Sequence, residues 1–381
     1  MKEGWQSKPF EESIEKVKYT TKIQRKDFLD AGAFPVISQE DAFVNGYWDD
    51  AEDVYRVVTP VVVFGDHTKV MKYVDFDFVL GADGVKILLP KEILVPKFFF
   101  YQLQTAQLDY LGYARHYKLL RELEITYPEI AEQHRIVAIL DEAFDGIATA
   151  KANAEKNLQN ARAFFESHLQ SVFTEQGDGW EEKPLSELCD IKHGYAFEGE
   201  FFSSEGEYVL LTPGNFYEKG GYRDRGEKQK YYVGEMRRDY VLNNGDLLVA
   251  MTEQAAGLLG SPILVPESDK FLHNQRLGLV TKKSEASWTN EFFFHVFNLQ
   301  SVRKAIHASA SGVKVRHTSP TKLGQVVVAF PTSILEQQRF VAILESLAEE
   351  TRRLESLYQQ KLTALDELKN SLLHQAFSGQ L

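Results

Sequence analysis

Two long stretches of the chain, 132–173 and 336–377, carry apolar residues in steps of three and four positions or sums of these steps, separated by charged and polar ones. This spacing places the apolar side chains in one stripe along a helix surface. We therefore predict two helices of about 40 residues each. The stripe of the first contains Ile136, Ile139, Leu140, Ala143, Ile147, Ala154, Leu158, Ala161, Phe165 and Leu169, and that of the second contains Leu344, Leu347, Leu354, Tyr358, Leu365, Leu368 and Leu372.

The two helical stretches are copies of one another. The first opens EQHRIVAIL and the second EQQRFVAIL, and one constant offset aligns Glu132 with Glu336. The segments ahead of them also begin alike, GWQSKP at Gly4 and GWEEKP at Gly179. The repeating unit is therefore a mixed domain followed by a long helix, and it occurs twice. The same offset pairs Gln133 with Gln337, Arg135 with Arg339, Leu158 with Leu362, Leu169 with Leu373 and Phe173 with Phe377.

A stripe this narrow on helices this long resembles the seam of a coiled coil. The helix cannot bury it alone, so we expect the two copies to pack on each other. The alternative is that each helix packs on its own neighbouring domain, although globular helices rarely exceed about 25 residues.

The segments ahead of the helices are rich in strand patterns bounded by turn residues. Each also contains a helical stretch with three consecutive phenylalanines shortly before the long helix. In the first domain we predict strands at 34–38, 55–64 and 84–89 and a helix at 96–108; in the second, strands at 207–212, 239–250 and 276–281 and a helix at 289–307.

Composition limits the class of protein. A chain of 381 residues with 12% aromatic residues favours two or three folded domains. The single cysteine, Cys189, excludes an internal disulfide and a CxxC metal site, which fits a reducing cytoplasm. No apolar run approaches the length of a membrane span. The net charge of −12 by itself argues against a nucleic-acid partner.

Catalytic motifs are missing from the sequence. It has no phosphate-binding loop, dinucleotide fingerprint, HExxH or GxSxG. The PESDK segment at 266–270 is better interpreted as a solvated turn than as a nuclease motif. Asp66 and His67 are sequence neighbours that point to opposite faces of an extended chain, so a ligand-contacting loop is the more reasonable interpretation. We expect a non-catalytic protein that needs no cofactor or metal.

Two windows depart from the acidic average. Residues 111–121 read LGYARHYKLLR, and residues 301–322 read SVRKAIHASASGVKVRHTSPTK, without any carboxylate. They occupy matching positions in the repeat, between the triple-phenylalanine helix and the long helix, and we expect each to be a loop at one edge of its domain. Lysine and arginine there could hold a phosphate backbone, while arginine, asparagine and glutamine could contact base edges. A single charge run is usually only a solvated face; the matching positions favour a function.

With these features the chain resembles the DNA-specificity subunits of type I restriction-modification systems. The resemblance rests on PEIAEQHRIVAIL, PTSILEQQRFVAIL, the closing LLHQAFSGQL, and WEEKPLSELCDIKHGYAF with Gly194 to Phe197. It implies two target-recognition domains, joined by two helices that form an antiparallel coiled coil, each domain reading half of a split site in double-stranded DNA. It also implies two modification (methyltransferase) subunits and restriction (translocase and endonuclease) subunits as partners. VKYTTKIQRKDF replaces the expected Gly-Tyr-Ala-Phe in the first domain.

The predicted fold class is α+β, with two strand-rich α/β recognition domains in a pseudo-two-fold arrangement joined by the helix pair. The predicted domains are 1–131 and 179–335, and the predicted helical segments are 132–178 and 336–381. A helix of about 40 residues is about 60 Å long, the length of roughly 18 base pairs. Because the two domains differ, an asymmetric bipartite target follows.

The predicted DNA-contacting residues come from both domains. The predicted contacts are His67, Lys69, Arg115, His116 and Lys118 in the first domain, and Asn215, Gln275, Arg276, Lys314, Arg316 and His317 in the second.

The alternative function is a protein-interaction scaffold or decoy subunit without base recognition. A self-sufficient restriction enzyme is disfavoured by the missing motifs.

Overall fold

The computed structural model describes residues 4–82, 84–106, 108–109, 112, 114–253, 257–312, 315–378 and 380–381. The chain divides into two compact units, which are considered separately. The first unit contains residues 1–157 and 358–381, and the second contains 158–357. Among the described residues, no helix is both long enough and apolar enough to cross a membrane.

The described residues of the first unit form short strands, short helices and parts of two long helices. The long helix that begins here is α4, Ile130–Thr174. The strands are β1 Gln6–Pro9, β2 Ile14–Glu15, β3 Lys22–Ile23, β4 Phe34–Ile37, β5 Gly46–Trp48, β6 Val54–Tyr55, β7 Val61–Gly65, β8 Met71–Val74, β9 Phe78–Gly81, β10 Val85–Pro90 and β11 Glu124–Tyr127, and the short helices are α1 Phe10–Ser13, α2 Pro96–Gln104 and α3 Tyr117–Leu120.

The second unit begins with a strand and a single-turn helix, as the first does. The long helix that begins here is α9, Ile334–Ser378, which has 45 residues, as α4 does. The strands are β12 Trp180–Pro184, β13 Cys189–His193, β14 Phe202–Ser203, β15 Tyr208–Leu210, β16 Tyr231–Tyr232, β17 Leu247–Ala250, β18 Thr252–Glu253, β19 Pro262–Leu264, β20 Phe271–Leu272, β21 Leu277–Lys282, β22 Arg316–His317 and β23 Val327–Pro331, and the short helices are α5 Leu185–Leu188, α6 Asn290–Asn298, α7 Gln300–Ser309 and α8 Pro320–Gly324.

The internal repeat is also seen in the strand order of the sheets. In the first unit an antiparallel sheet has the order β2-β10-β7-β8, and in the second the order is β13-β21-β17-β19. Each unit also pairs its first strand with its last, β1 with β11 and β12 with β23. The similar openings at Gly4 and Gly179 thus lead into equivalent edge strands.

Most predicted elements are present, but two predicted strands are wrong in extent. The strand at 55–64 is interrupted, because Pro60 cannot donate to a ladder and β7 begins only at Val61. The strand at 239–250 is reduced to β17, because Asn243 to Asp246 form a turn with Gly245 at φ +80°. The predicted helix at 289–307 is two helices, α6 and α7, separated by an extended Leu299.

The basic windows are not the loops that the sequence suggested. The first includes the single-turn helix α3, and the second includes α7, β22 and the start of α8. Short helical turns formed here because the apolar residues of the windows are needed in the cores; Leu120, Val302 and Ile306 are buried.

The two long helices pack together, as predicted. In the first unit Lys151 Nζ lies 2.7 Å from Asp366, and in the second Arg162 Nε lies 2.6 Å from Glu355, so the residue number rises along one helix as it falls along the other. The close approach of the helices fits the small Ala154, which is 1% exposed. One member of the predicted stripe, Leu368, is exposed instead.

The ends of both helices also belong to the domain cores, so the alternative packing holds for part of their length. In the first unit, Ile136 and Leu140 of α4 lie in one apolar cluster with Leu373 and Ala376 of α9. In the second, the equivalent cluster contains the other ends of both helices, namely Leu169, Phe173, Val341 and Leu344. The domain boundaries predicted from the repeat, 1–131, 132–178, 179–335 and 336–381, remain a prediction; the compact units divide both helices near their middles.

The repeated glutamine near the start of each long helix has the same role in both units. The buried side chain of Gln133 accepts the Val95 N–H at 2.7 Å and donates to the carbonyls of Ile93 and Pro128. Gln337 accepts the Thr289 N–H at 2.9 Å and donates to the carbonyls of Ser287 and Pro331 in the same way. Each glutamine thus joins three elements: the long helix, the last strand and the start of the triple-phenylalanine helix.

Candidate nucleic-acid interface

In the first unit, the predicted contact residues come together around the turn after β7. Asp66 is buried; its carbonyl accepts the His116 N–H at 2.7 Å, and its carboxylate accepts the Tyr117 N–H at 2.7 Å. The turn is also held by Gln39, whose side chain accepts the His67 N–H and whose carbonyl accepts the Thr68 hydroxyl. The segments 65–69 and 114–118 therefore form one surface.

The exposure of these residues differs. Arg115 and Lys118 are exposed, and His67 and Lys69 are half-buried. Lys69 has a positive φ of 63°, and its ammonium donates to the Leu108 carbonyl at 3.0 Å. His116 is fully buried, with its Nδ1 3.0 Å from the Asp66 carbonyl. His116 therefore positions its neighbours and does not offer its ring at the surface.

In the second unit, the central feature is the turn that carries Gln275 and Arg276, both exposed. It is held by Tyr195, which donates its N–H to the His273 carbonyl at 2.9 Å and accepts the Gln275 N–H at 3.0 Å. Gly194 allows this approach, because a Cβ there would lie 2.3 Å from the carbonyl oxygen of Asn274. The Gly-Tyr-Ala-Phe segment thus fixes the backbone of the Gln275–Arg276 turn.

Arg316 and His317 lie beside this turn through a two-residue strand pair. In that pair His317 is opposite Thr252 and Arg316 is opposite Glu253. His317 is exposed, whereas the Arg316 guanidinium lies 3.6 Å from the buried Glu253 carboxylate and donates to the His307 carbonyl. Arg316 is therefore partly committed to holding the loop. Lys314 lies outside the described residues.

The two basic windows are attached to their units by the same backbone contact. In the first unit the His116 N–H donates to the carbonyl of Asp66, directly after β7. In the second the Thr318 N–H donates at 3.0 Å to the carbonyl of Met251, directly after the equivalent β17. Met251 in turn donates its own N–H to the Arg276 carbonyl at 2.9 Å. The matching positions in the sequence therefore correspond to matching positions in the two folds.

Asn215 is buried at 1% exposure, so its amide is not available to a ligand. Its Oδ1 accepts the N–H of Thr212, and its Nδ2 donates to the Arg223 carbonyl and to Gln229. The side chain thus fixes the shape of the 212–229 loop.

That loop forms one wall of a cavity of about 330 Å³, which we name the cationic cavity. Arg225, Lys230 and Arg276 all contribute to it. Arg276 thus belongs both to the cavity lining and to the turn that carries Gln275. The described lining residues are Thr212, Pro213, Gly214, Arg225, Lys230, Thr252, Leu258 and Arg276.

Comparison with known proteins identifies the family. The family model for the type I restriction modification DNA specificity domain matches this chain twice, over residues 2–159 and 177–364. The chain belongs to this family.

Two relatives from Escherichia coli fit the family assignment. The chain is 25% identical to the type I restriction enzyme EcoBI specificity subunit over 206 residues, 54% of this chain and 40% of that protein. It is 29% identical to the EcoR124I/EcoR124II specificity subunit over 153 residues, 36% of this chain and 37% of that protein. The matched segments thus span well under two thirds of either relative.

Two solved structures show the same fold. A chain from a structure concerning complex assembly and conformational transition of the type I R-M system has a TM-score of 0.74 at 16% identity, covering 100% of this chain and 99% of that one. The HsdS subunit from Thermoanaerobacter tengcongensis has a TM-score of 0.57 at 17% identity, with 100% and 98% coverage.

Sequence reasoning missed several basic residues of this family member. Arg225 and Lys230 lie in the segment DRGEKQK, which also contains two acidic residues and is therefore not a basic window without carboxylates. Arg237 lies 4.3 Å from the centre of the Tyr195 ring, and Lys192 lies 4.9 Å from that of Tyr240. For Arg237 and Lys192, the signal in the sequence would have been tyrosine close to lysine or arginine.

We expect the second unit to lose stability in acid. Burial, together with the charges of Lys192 and His193, lowers the pKa of His273 to about 4, and burial lowers the pKa of His295 to about 4. The unfolded chain binds these protons near pH 6.5, whereas the folded unit binds them only near pH 4. The free energy of unfolding is therefore fully retained above pH 6.5 and falls between 6.5 and 4, by on the order of 3 kcal/mol per histidine.

This pH dependence is measured by urea unfolding of the full chain at pH 7.5 and 5.0, with hydrogen exchange to follow the second unit. The double variant His273→Gln plus His295→Gln should flatten the profile between these pH values. An unchanged profile in the double variant would assign the acid sensitivity to other groups.

Proposed function

We propose that this chain is the sequence-specific DNA-binding subunit of a type I restriction-modification complex. Each unit reads one half of an asymmetric, bipartite target in double-stranded DNA. Methylation and cleavage are carried out by partner modification and restriction subunits, and this chain contributes no catalytic group. The proposal rests on the family membership together with one observation: the exposed Gln275–Arg276 turn, held by backbone contacts next to a cavity with three basic side chains.

The proposal assigns two roles to the contact residues. A glutamine amide can pair with the donor and acceptor of adenine in the major groove, and an arginine can pair with guanine. Gln275 and Arg276 therefore read base edges in this proposal. Lysine and arginine side chains that border them hold phosphates and set the register. His67, Lys69, Arg115 and Lys118 form the corresponding surface of the first unit, His317 supports the second, and His116, Asn215 and Arg316 position the others.

The test is selection from a random duplex pool by the full chain assembled with its modification subunits. Enrichment of one split sequence supports the proposal. We expect Gln275→Ala to relax the preference at one position of one half-site, with a loss of discrimination of about 1–3 kcal/mol.

The matched control is Gln300→Ala, which truncates an exposed glutamine on α7, outside the interface defined above. It should leave the enriched sequence unchanged. A wild-type complex that assembles but enriches no sequence would instead indicate a scaffold or decoy subunit.

A further inference from the structure

The cationic cavity is lined by three positively charged side chains, and the ammonium of one of them, Lys230, also lies 5.5 Å from the centre of the Phe202 ring. Within the described residues, no carboxylate oxygen lies within 4 Å of the side-chain nitrogens of Arg225, Lys230 or Arg276. Some basic residues elsewhere in the unit are paired, for example Arg162 with Glu355 and Lys270 with Glu267. Like charges at one cavity repel each other, and an anion would remove that repulsion.

The walls of the cavity are formed by ordered contacts. Gly214 lies against the guanidinium of Arg225: a Cβ on Gly214 would be 3.0 Å from Nη1 and 3.1 Å from Cζ. The adjacent Asn215 is locked to Gln229, which accepts the Arg225 N–H at 3.4 Å. The half-buried Arg225 side chain is therefore confined to the cavity wall, which reduces the entropy lost when it binds a ligand.

The chemistry of the lining fits a phosphate group. The planar guanidinium presents two parallel N–H donors that match two phosphate oxygens, and the lysine ammonium adds a point charge. The described lining contains no acidic side chain that would repel an anion. Arg276, at the boundary between the cavity and the exposed turn, connects this site with Gln275.

We propose that the cationic cavity binds one phosphodiester of the DNA backbone, with Arg225 and Lys230 as its principal contacts. This inference rests on the proposed function and names the part of the DNA that the cationic cavity binds. The bound phosphate fixes the register in which Gln275 meets its base. Arg225 and Lys230 are thus positioning residues, and they do not choose the sequence.

The first test is the salt dependence of binding by the full complex. Arg225→Gln and Lys230→Gln should each weaken binding about tenfold, equally on target and non-target duplexes. The double variant should reduce the slope of log K against log salt by about 1. Lys228→Gln is the matched control, because Lys228 is an exposed neighbour outside the cavity; its effect should stay within about twofold.

The second test locates the phosphate. Single neutral methylphosphonates are introduced one at a time into the selected target, and wild-type binding should fall at a phosphate beside one half-site. In the Arg225→Gln complex, the methylphosphonate at that same phosphate should cause no further loss of binding affinity, whereas methylphosphonates at the other phosphates should lower affinity as they do for the wild type. Gly214→Ala, which leaves every charge in place but crowds the guanidinium, should reproduce the site-specific effect and guards against a folding defect in Arg225→Gln.

The outcomes separate the two proposals. If the complex enriches a split sequence, but the losses of affinity from Arg225→Gln and from the methylphosphonate add at every phosphate, the cavity does not bind a backbone phosphate. The proposed function is unaffected by that result. A complex that enriches no sequence overturns the function itself. If inorganic phosphate raises the Tm of the full chain through Arg225 while the methylphosphonate scan shows no coupling, the cavity is a site for a free anion, and the backbone assignment is wrong.

Discussion

Replacing Gln337 with leucine is expected to lower the free energy of unfolding of the second unit by about 3 kcal/mol or more. The side chain is fully buried, and its amide bonds with the Thr289 N–H and with the carbonyls of Ser287 and Pro331. Leucine fills a similar volume but leaves these three backbone groups without their partner. A buried polar group that loses its hydrogen bond costs about 1–3 kcal/mol.

The chain provides a matched control one residue further along. Gln338 carries the same side chain on the solvent face of the same helical turn, so Gln338→Leu should change stability by less than about 0.5 kcal/mol. Chemical denaturation of the full chain, with hydrogen exchange to assign the loss to the second unit, makes the measurement. Equal effects of the two substitutions would show that the amide contacts are not what stabilises the helix start.

The equivalence of Gln133 and Gln337 extends this expectation to the first unit. Gln133→Leu should destabilise the first unit to a similar degree, because the contacts of Gln133 with Val95, Ile93 and Pro128 are the same in kind. The glutamine is therefore repeated for a structural reason. It secures the junction from which the long helix departs, while the loops of the two units are free to differ.

The long helices were the part of the fold most accessible from sequence. Their apolar period and their repetition both indicate helices, and the two observations are independent of tertiary contacts. Leu368 shows the limit of that reasoning: it fits the period, yet it is exposed, whereas Leu373 is buried in the domain core. A narrow apolar stripe predicts contact with one partner helix. The ends of these helices contact both the partner helix and the core of a domain.

The candidate interface was less accessible, for physical reasons seen in particular residues. His116 stands in a basic window, but the carbonyl of Asp66, distant in sequence, draws its ring into the interior. Arg225 and Lys230 were hidden by acidic sequence neighbours, since local charge does not show which side chains a loop directs into one cavity. Gln275 was among the predicted contacts and directly precedes the predicted strand at 276–281, but the contact with Tyr195 that holds it depends on the fold.

Gly194→Ala is expected to disrupt the Gln275–Arg276 turn. The added Cβ would lie 2.3 Å from the Asn274 carbonyl oxygen and 2.4 Å from that of His273, and both are backbone atoms that cannot rotate away. The strands must separate, which breaks the Tyr195 N–H bond to His273 and the Gln275 N–H bond to Tyr195. Overpacking of this kind costs about 1–3 kcal/mol of stability. Because the turn would no longer be held beside the cationic cavity, we expect loss of preference for one half-site.

Gly199→Ala supplies the control, because no atom of the described residues lies within 4 Å of a Cβ at Gly199 and its backbone does not require glycine. Selection from a random duplex pool by complexes containing each variant makes the comparison. Gly194→Ala should retain the preference of the first unit's half-site and lose that of the second, whereas Gly199→Ala should retain both. If Gly194→Ala folds and still selects the complete split sequence, the close packing at Gly194 does not position the reading turn, and the specificity of this unit must reside in another loop.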